Sequence, residues 1–196
     1  MFKNLFGKIK ESKGFTLMEL LIVIGVLAVL TTAATLVLNP AELLKQARDS
    51  TRISDISTLN EALSLYVTNV SSPDLDGAQD CSVSCFVHID GVAANCGGRH
   101  VGVSAADTTR EVDASGWVPV DFTDIPGGAP LAVLPIDPSN TTSYFYSYAC
   151  NNTSKTYELD VVFESTKYLT TEDYDNKDGG DSATTYEIGS EPGLDI

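Results

Sequence analysis

The sequence predicts an α+β protein: a long N-terminal helix, apolar in its first half and amphipathic in its second, packed on a small antiparallel sheet. Three observations carry this. Residues 15–38 run for 24 positions with a single charge, Glu19. After Pro40, Leu44, Ala47, Ile56, Leu59, Leu63, Tyr66 or Val67, and Val70 recur at steps of three or four, which places them on one helical face. Between residues 143 and 164, Tyr144, Tyr146, Tyr148 and Cys150 alternate, then Tyr157, Leu159, Val161 and Phe163 alternate, with NNTSK between them. That is a hairpin of two half-buried strands.

The first segment is long enough to cross a membrane. As a helix, 24 residues span ~36 Å, against ~30 Å of bilayer hydrocarbon. Lys3, Lys8, Lys10 and Lys13 precede it. By the positive-inside bias they keep the N-terminus in the cytoplasm and place the chain beyond residue 38 outside. Three ordinary explanations compete: a cleaved secretory signal, a plain signal anchor, and the core helix of a soluble protein. None accounts for Glu19, because Asp, Lys or Arg at the centre of a membrane helix costs ~2.5 to 3.5 kcal/mol and an acid near the end somewhat less.

The stretch KGFTLMELLIVIGVLAVL resembles the processing and assembly signal of type IV prepilins and of the pseudopilins of type II secretion. The resemblance implies a leader over residues 1–14, a transmembrane and assembly helix over 15–38, an amphipathic continuation of it over 39–70, and an extracytoplasmic head over 71–196. It implies cleavage between Gly14 and Phe15 by a membrane-embedded prepilin peptidase, which also methylates the new amine of Phe15. Glu19 is then expected to neutralise the Phe15 amine of a neighbouring subunit in a filament, whether a pilus, a competence filament or a secretion pseudopilus. The implied partners are identical or homologous subunits, the peptidase and methyltransferase, an inner-membrane assembly platform with its ATPase motor, and lipid before assembly.

In the continuation, Arg48, Asp49, Arg52, Asp55 and Glu61 fall mostly off the apolar face and read as a solvated surface. Ser71, Ser72, Pro73 and the run to Gly77 end the helix. The region to about Gly116 is irregular, with short strand candidates at 85–89 and 100–103. LPIDP at 134–138 is a rigid turn fixed by Pro135 and Pro138. The order LPIDP, aromatic strand, YELDVVFE is similar to the core sheet of short pilins and of the major pseudopilin. With the N-terminal signal this covers about half the chain, and 71–133 match nothing in that pattern.

Cys81, Cys85, Cys96 and Cys150 are expected to form two disulfides in an oxidising compartment, and four cysteines allow three pairings. A zinc site from Cys81, Cys85, His88 and Cys96 fits no common spacing. The resembling family often closes a loop near its C-terminus with a disulfide, but Cys150 lies 46 residues from the end, which points to stapling of 81–96 instead. Near the end, EDYDNKDGGDSATTYEIG offers Asp175, Asp178 and Asp181 around two glycines as hard oxygen ligands for calcium, without EF-hand spacing. Major pseudopilins carry calcium in their C-terminal loop, and the resemblance extends that expectation here.

The net charge of −15 is uneven: residues 1–14 hold four lysines and one glutamate, whereas residues 71–196 hold 21 acidic and five basic residues. Such a head repels nucleic acid, which rewards clustered Lys and Arg. His88 and His100 are the near-neutral bases, and neither G-x-S-x-G nor a phosphate-binding glycine loop accompanies them. The expected role is assembly rather than catalysis. The alternatives are a membrane-anchored binding module that does not polymerise and, more remotely, an anchored hydrolase.

Overall fold

The computed structural model describes residues 14–100 and 102–191. The chain divides into two compact units, one ending at Pro40 and the other beginning at Ala41.

Helix α1, Leu17–Leu38, belongs to the first unit. Its polar side chains are satisfied locally: the hydroxyls of Thr31, Thr32 and Thr35 donate to the carbonyls of Leu27, Ala28 and Thr32 at 2.8, 2.9 and 2.9 Å. These bonds let three threonines sit in an otherwise apolar helix without an unpaired polar group. Asn39 and Pro40, where a proline is expected to kink or locally melt a long helix, divide the helix in two. Asn39 adopts φ 40° and ends α1, and Pro40 opens α2, Pro40–Asn69. The cause is local, since a residue before proline is excluded from the right-handed helical region, asparagine tolerates the left-handed one, and proline suits a first helical turn.

In the second unit, the residues of α2 that are buried are Asp49, Arg52, Ile56, Leu59, Ala62, Leu63 and Tyr66. The lower half of the face differs from the expectation. Leu44 and Ala47 are exposed, and Asp49 and Arg52, read as solvated, are fully buried. Their partners explain it. Arg52 donates through Nε and Nη2 to Asp137 at 2.6 and 2.9 Å, through Nη1 to Asp49 at 2.6 Å, and through Nη2 to Glu164 at 2.6 Å. Asp49 in turn accepts the backbone N–H groups of Glu164 and Ser165 at 3.0 and 2.7 Å. Arg48 completes the set by pairing with Glu164. Hydrogen bonds from Arg48 and Arg52, and the Arg52 charge, hold the Glu164 carboxyl at about 2 against the cost of its burial. Burial pulls the Arg52 guanidinium down, but its three carboxylates together hold it above its ordinary value.

The sheet has the order β2-β1-β3-β4-β5, with β1 Ser84–Val87, β2 Val103–Ala106, β3 Ser147–Asn151, β4 Thr156–Val161 and β5 Tyr186–Gly189. It is mixed rather than wholly antiparallel, because β1 and β2 run parallel. A parallel pair needs a crossover of a dozen or more residues, which residues 88–102 supply. Within that crossover Asn95, Cys96 and Gly97 all adopt positive φ, and the Cys85–Cys96 disulfide ties the turn to β1. The second disulfide, Cys81–Cys150, joins the stretch after α2 to β3. The structure thus selects one of the three pairings.

One face of the sheet carries the core. Tyr146, Tyr148, Cys150, Tyr157, Leu159, Val161 and Phe163 are buried there with Ile56, Leu59, Leu63 and Tyr66 of α2 and with Trp117 and Phe122. The tyrosines bury their rings and direct their hydroxyls to polar partners: Tyr146 donates to Asp55 at 2.9 Å, Tyr148 to the Leu75 carbonyl at 3.0 Å, and Tyr157 to Asn60 Oδ1 at 2.8 Å. Tyr144 departs from the expected alternation. It closes a tight turn with Thr141 and lies half-buried with its ring 5.0 Å from the Arg52 guanidinium.

The opposite face is buried as well, although the alternation predicts half-buried strands. Register places Ser147 beside Asp160, Ala149 beside Glu158, and Asp160 beside Glu187. All five are buried. The crossover covers this face with His100 and Arg99, and the C-terminal loop covers Glu187, whose Oε2 accepts the Ser182 N–H at 2.9 Å. Burial, reinforced by the charges of Asp160, Asp181 and Asp178, pushes the Glu187 carboxyl up to about 7.

Candidate processing and assembly site

The start of α1 collects the three residues singled out for processing and assembly. Gly14, Phe15 and Thr16 precede the helix, and Thr16 is extended with φ −78° and ψ 151°. Phe15 is 88% exposed, and a Cβ on Gly14 would meet no atom within 4 Å. The Gly14–Phe15 bond therefore lies outside the helix in open backbone, the form that a peptidase site can accept.

Thr16 and Glu19 form a capping box. The Glu19 N–H donates to Thr16 Oγ1 at 3.2 Å, while the Thr16 N–H and hydroxyl donate to Glu19 Oε2 at 3.0 Å each. Two of the unpaired donors at the helix start are satisfied reciprocally. The spacing T-x-x-E signals such a cap, yet the family resemblance drew attention only to an external partner for Glu19. Both bonds fall on Oε2, and among the described residues no cation lies within ion-pair distance of the carboxylate. Lys3, Lys8, Lys10 and Lys13 lie outside the described residues.

From Leu17 to Thr35 the helix has a mean hydropathy of 2.4 and none of it is buried within the chain. Five consecutive residues, Leu20, Leu21, Ile22, Val23 and Ile24, are all exposed, so the exposure runs round the whole circumference. An all-round apolar helix is stable only when something else covers it, whether lipid or other helices.

Residues 9–35 match the family model for the prokaryotic N-terminal methylation motif. The chain carries the type IV pilin and pseudopilin signature. Gly14, Phe15, Thr16 and Glu19 all fall inside the match. The pilin-type motif supports a prepilin-type subunit, a class whose members are typically structural rather than enzymatic. Together with the apolar helix it fits a single-pass membrane anchor near the N-terminus. The head lies beyond the match, and no curated protein and no solved structure matches the chain.

The other predicted positions lie in the head. All four cysteines are paired, as given above. Asp175, Asp178 and Asp181 are not drawn into one ligand set: Asp175 is buried, Asp178 accepts the backbone N–H groups of Gly180 and Glu187 at 3.0 and 2.7 Å, and Asp181 is exposed. Among the described residues, the one group of three His, Cys, Asp or Glu side chains with ligand atoms mutually within 4.8 Å is His100, Glu158 and Asp160. His88 approaches Asn140 at 3.3 Å and takes no part in that group.

Proposed function

We propose that this chain is a prepilin whose mature form polymerises: it is cleaved after Gly14, N-methylated at Phe15, and built into a filament through α1. The observation that carries the reading is the capped carboxylate of Glu19 at the head of a wholly exposed apolar helix, inside the matched methylation motif. In a bundle of such helices the apolar surfaces cover one another. Glu19 Oε1, left open by the Thr16 contacts, can then accept the Phe15 amine of a neighbouring subunit. A charge pair in hydrocarbon is stable only if both members and their remaining donors are met, so the pair forms in register or at a large penalty.

The uncut chain waits in the cytoplasmic membrane with its N-terminus inside and the head outside. The two disulfides support that orientation, because such bonds persist in oxidising compartments. Extraction requires an assembly platform and a separate ATPase motor. The partners are copies of this chain or homologous subunits, and the peptidase with its methyltransferase activity.

Gly14→Ala should leave the full-length chain uncut, read as intact N-terminal mass by mass spectrometry. Glu19→Ala should be cut and methylated normally yet yield no filaments in sheared fractions by electron microscopy. Normal filaments from Glu19→Ala would sink the assembly reading and favour an anchored binding module. Uncut Glu19→Ala would separate a processing defect from an assembly defect.

A further inference from the structure

The face of the sheet turned away from α2 holds a cluster that neither processing nor assembly uses. His100 is 3% exposed, Glu158 2% and Asp160 0%. Glu158 and Asp160 stand two residues apart on β4, so both side chains emerge on the same face. His100 comes from the crossover, far earlier in the chain, just after the left-handed turn that the Cys85–Cys96 disulfide holds.

We infer that His100, Glu158 and Asp160 form a buried site for a divalent transition metal of the zinc class, which fastens the crossover onto β4. Geometry is the first reason. His100 Nε2 lies 2.8 Å from Asp160 Oδ2, and Nδ1 lies 3.9 Å from Glu158 Oε2, yet neither ring nitrogen makes a hydrogen bond. Asp160 Oδ1 is buried without a hydrogen-bond partner too. An imidazole that simply paired with the carboxylates would point an N–H along a line to oxygen. Here nitrogen and oxygen sit close without that alignment, as ligands do when they share a third atom. A metal takes a single ring nitrogen, and one such nitrogen with one oxygen each from Glu158 and Asp160 lies within 4.8 Å of the others, within a small side-chain adjustment of the ~3.3 Å between ligands ~2.0 to 2.1 Å from a tetrahedral zinc.

Charge is the second reason. Glu158, Asp160 and Glu187 occupy neighbouring positions on this buried face, and the Arg99 guanidinium is the fixed cation whose field reaches Asp160. Buried carboxylates are kept by pairing or by a metal, and the unmet Oδ1 of Asp160 is the one that a divalent ion completes. The ligands' surroundings are also ordered. Ser147 Oγ donates to Asp160 Oδ2 at 3.3 Å, and Arg99 donates to Ser147 Oγ at 3.3 Å and to the Phe145 carbonyl at 2.7 Å. Such contacts aim a ligating carboxylate. The imidazole selects the ion, because calcium and magnesium take oxygen ligands and six or more of them, whereas zinc accepts one nitrogen with carboxylates and completes four-coordination with water.

The site is independent of filament assembly, and the full-length chain, expressed without a polyhistidine tag in zinc-supplemented medium and purified in detergent, tests it. Elemental analysis after gel filtration should find about one zinc per chain. Stripping with a chelator should lower the thermal midpoint by roughly 5 to 10 °C, restored by zinc chloride and not by calcium chloride. His100→Gln and Asp160→Asn should lose both effects, and Asp181→Asn, in the exposed acidic loop, should keep them. Zinc below about a tenth of an equivalent in the wild-type chain, a midpoint indifferent to zinc, or a full zinc complement in His100→Gln would each overturn the site. If the two ligand variants fail to fold, the wild-type zinc content and the zinc-against-calcium comparison decide alone.

Discussion

The two helices treat charge in opposite ways. In α2, Asp49 and Arg52 are fully buried, and beyond each other their partners come from the same compact unit: Asp137, Ser139, Glu164, the Tyr144 ring, and the backbone of Glu164 and Ser165. In α1, Glu19 sits in an exposed helix and, among the described residues, is met by the neutral donors of Thr16 and by no cation. Among the described residues, one electrostatic structure is finished and the other has no cation. A charge on an apolar face therefore points to a partner, and the difference between the helices is whether that partner lies in the same molecule.

Exchanging the defects breaks the comparison most sharply. Arg52→Ala removes the cation from the buried carboxylates of Asp49 and Asp137 and leaves Glu164 to Arg48 alone. It should destabilise the head by ~3 to 5 kcal/mol, read by urea denaturation of the full chain in detergent, whereas Glu19→Ala should leave that midpoint unmoved. If Glu19→Ala lowered the head's stability comparably, the two charges would not differ in kind. Next in size, loss of the Cys85–Cys96 link through Cys85→Ala with Cys96→Ala should cost ~2 to 3 kcal/mol from the entropy of a short loop, measured in the same way.

A pH titration sharpens the account of α2. The Glu164 carboxyl is held at about 2, below its ordinary 4.5, so the folded state binds its proton less readily than the unfolded state. Its contribution is complete above pH 4.5 and is lost as pH falls through 4.5 towards 2. Glu164→Gln should flatten the stability profile in that window, and an unchanged acid limb would remove Glu164 from the network. Smallest of all, Thr16→Ala removes the helix cap and should cost ~1 kcal/mol, read as fraying of the first turn by amide exchange.

Local pattern was a good guide to elements and a poor one to charge. The apolar run to Leu38, the break at Pro40 and the inward alternation of Tyr146, Tyr148, Tyr157 and Leu159 all follow from residue type and spacing. The burial of Asp49 and Arg52 does not, because they pair with each other locally but the groups that complete the network, Asp137, Glu164 and the Ser165 N–H, stand 85 to 116 positions away. The same holds for Glu158 and Asp160, whose strand reads as half solvated until the crossover with His100 is laid over it. The parallel pairing of β1 and β2 and the choice of disulfide partners also depend on where the chain returns, information that no short window holds. At the candidate assembly site the signal for Gly14, Phe15 and Glu19 is local in sequence, and the Thr16 cap went unread.

The Cys81–Cys150 disulfide has a mechanical consequence. It closes a covalent ring over a sequence separation of 69 residues. If the two ends of the chain are pulled apart, tension passes across the sulfur bridge and bypasses everything inside the ring, so about 240 Å of extended contour cannot be released. β1, β2, the crossover with His100 and most of β3 lie inside it. A stretched chain could give up its C-terminal strands while keeping that portion short, and a reducing agent should free the hidden length as a distinct step in a single-molecule pulling trace.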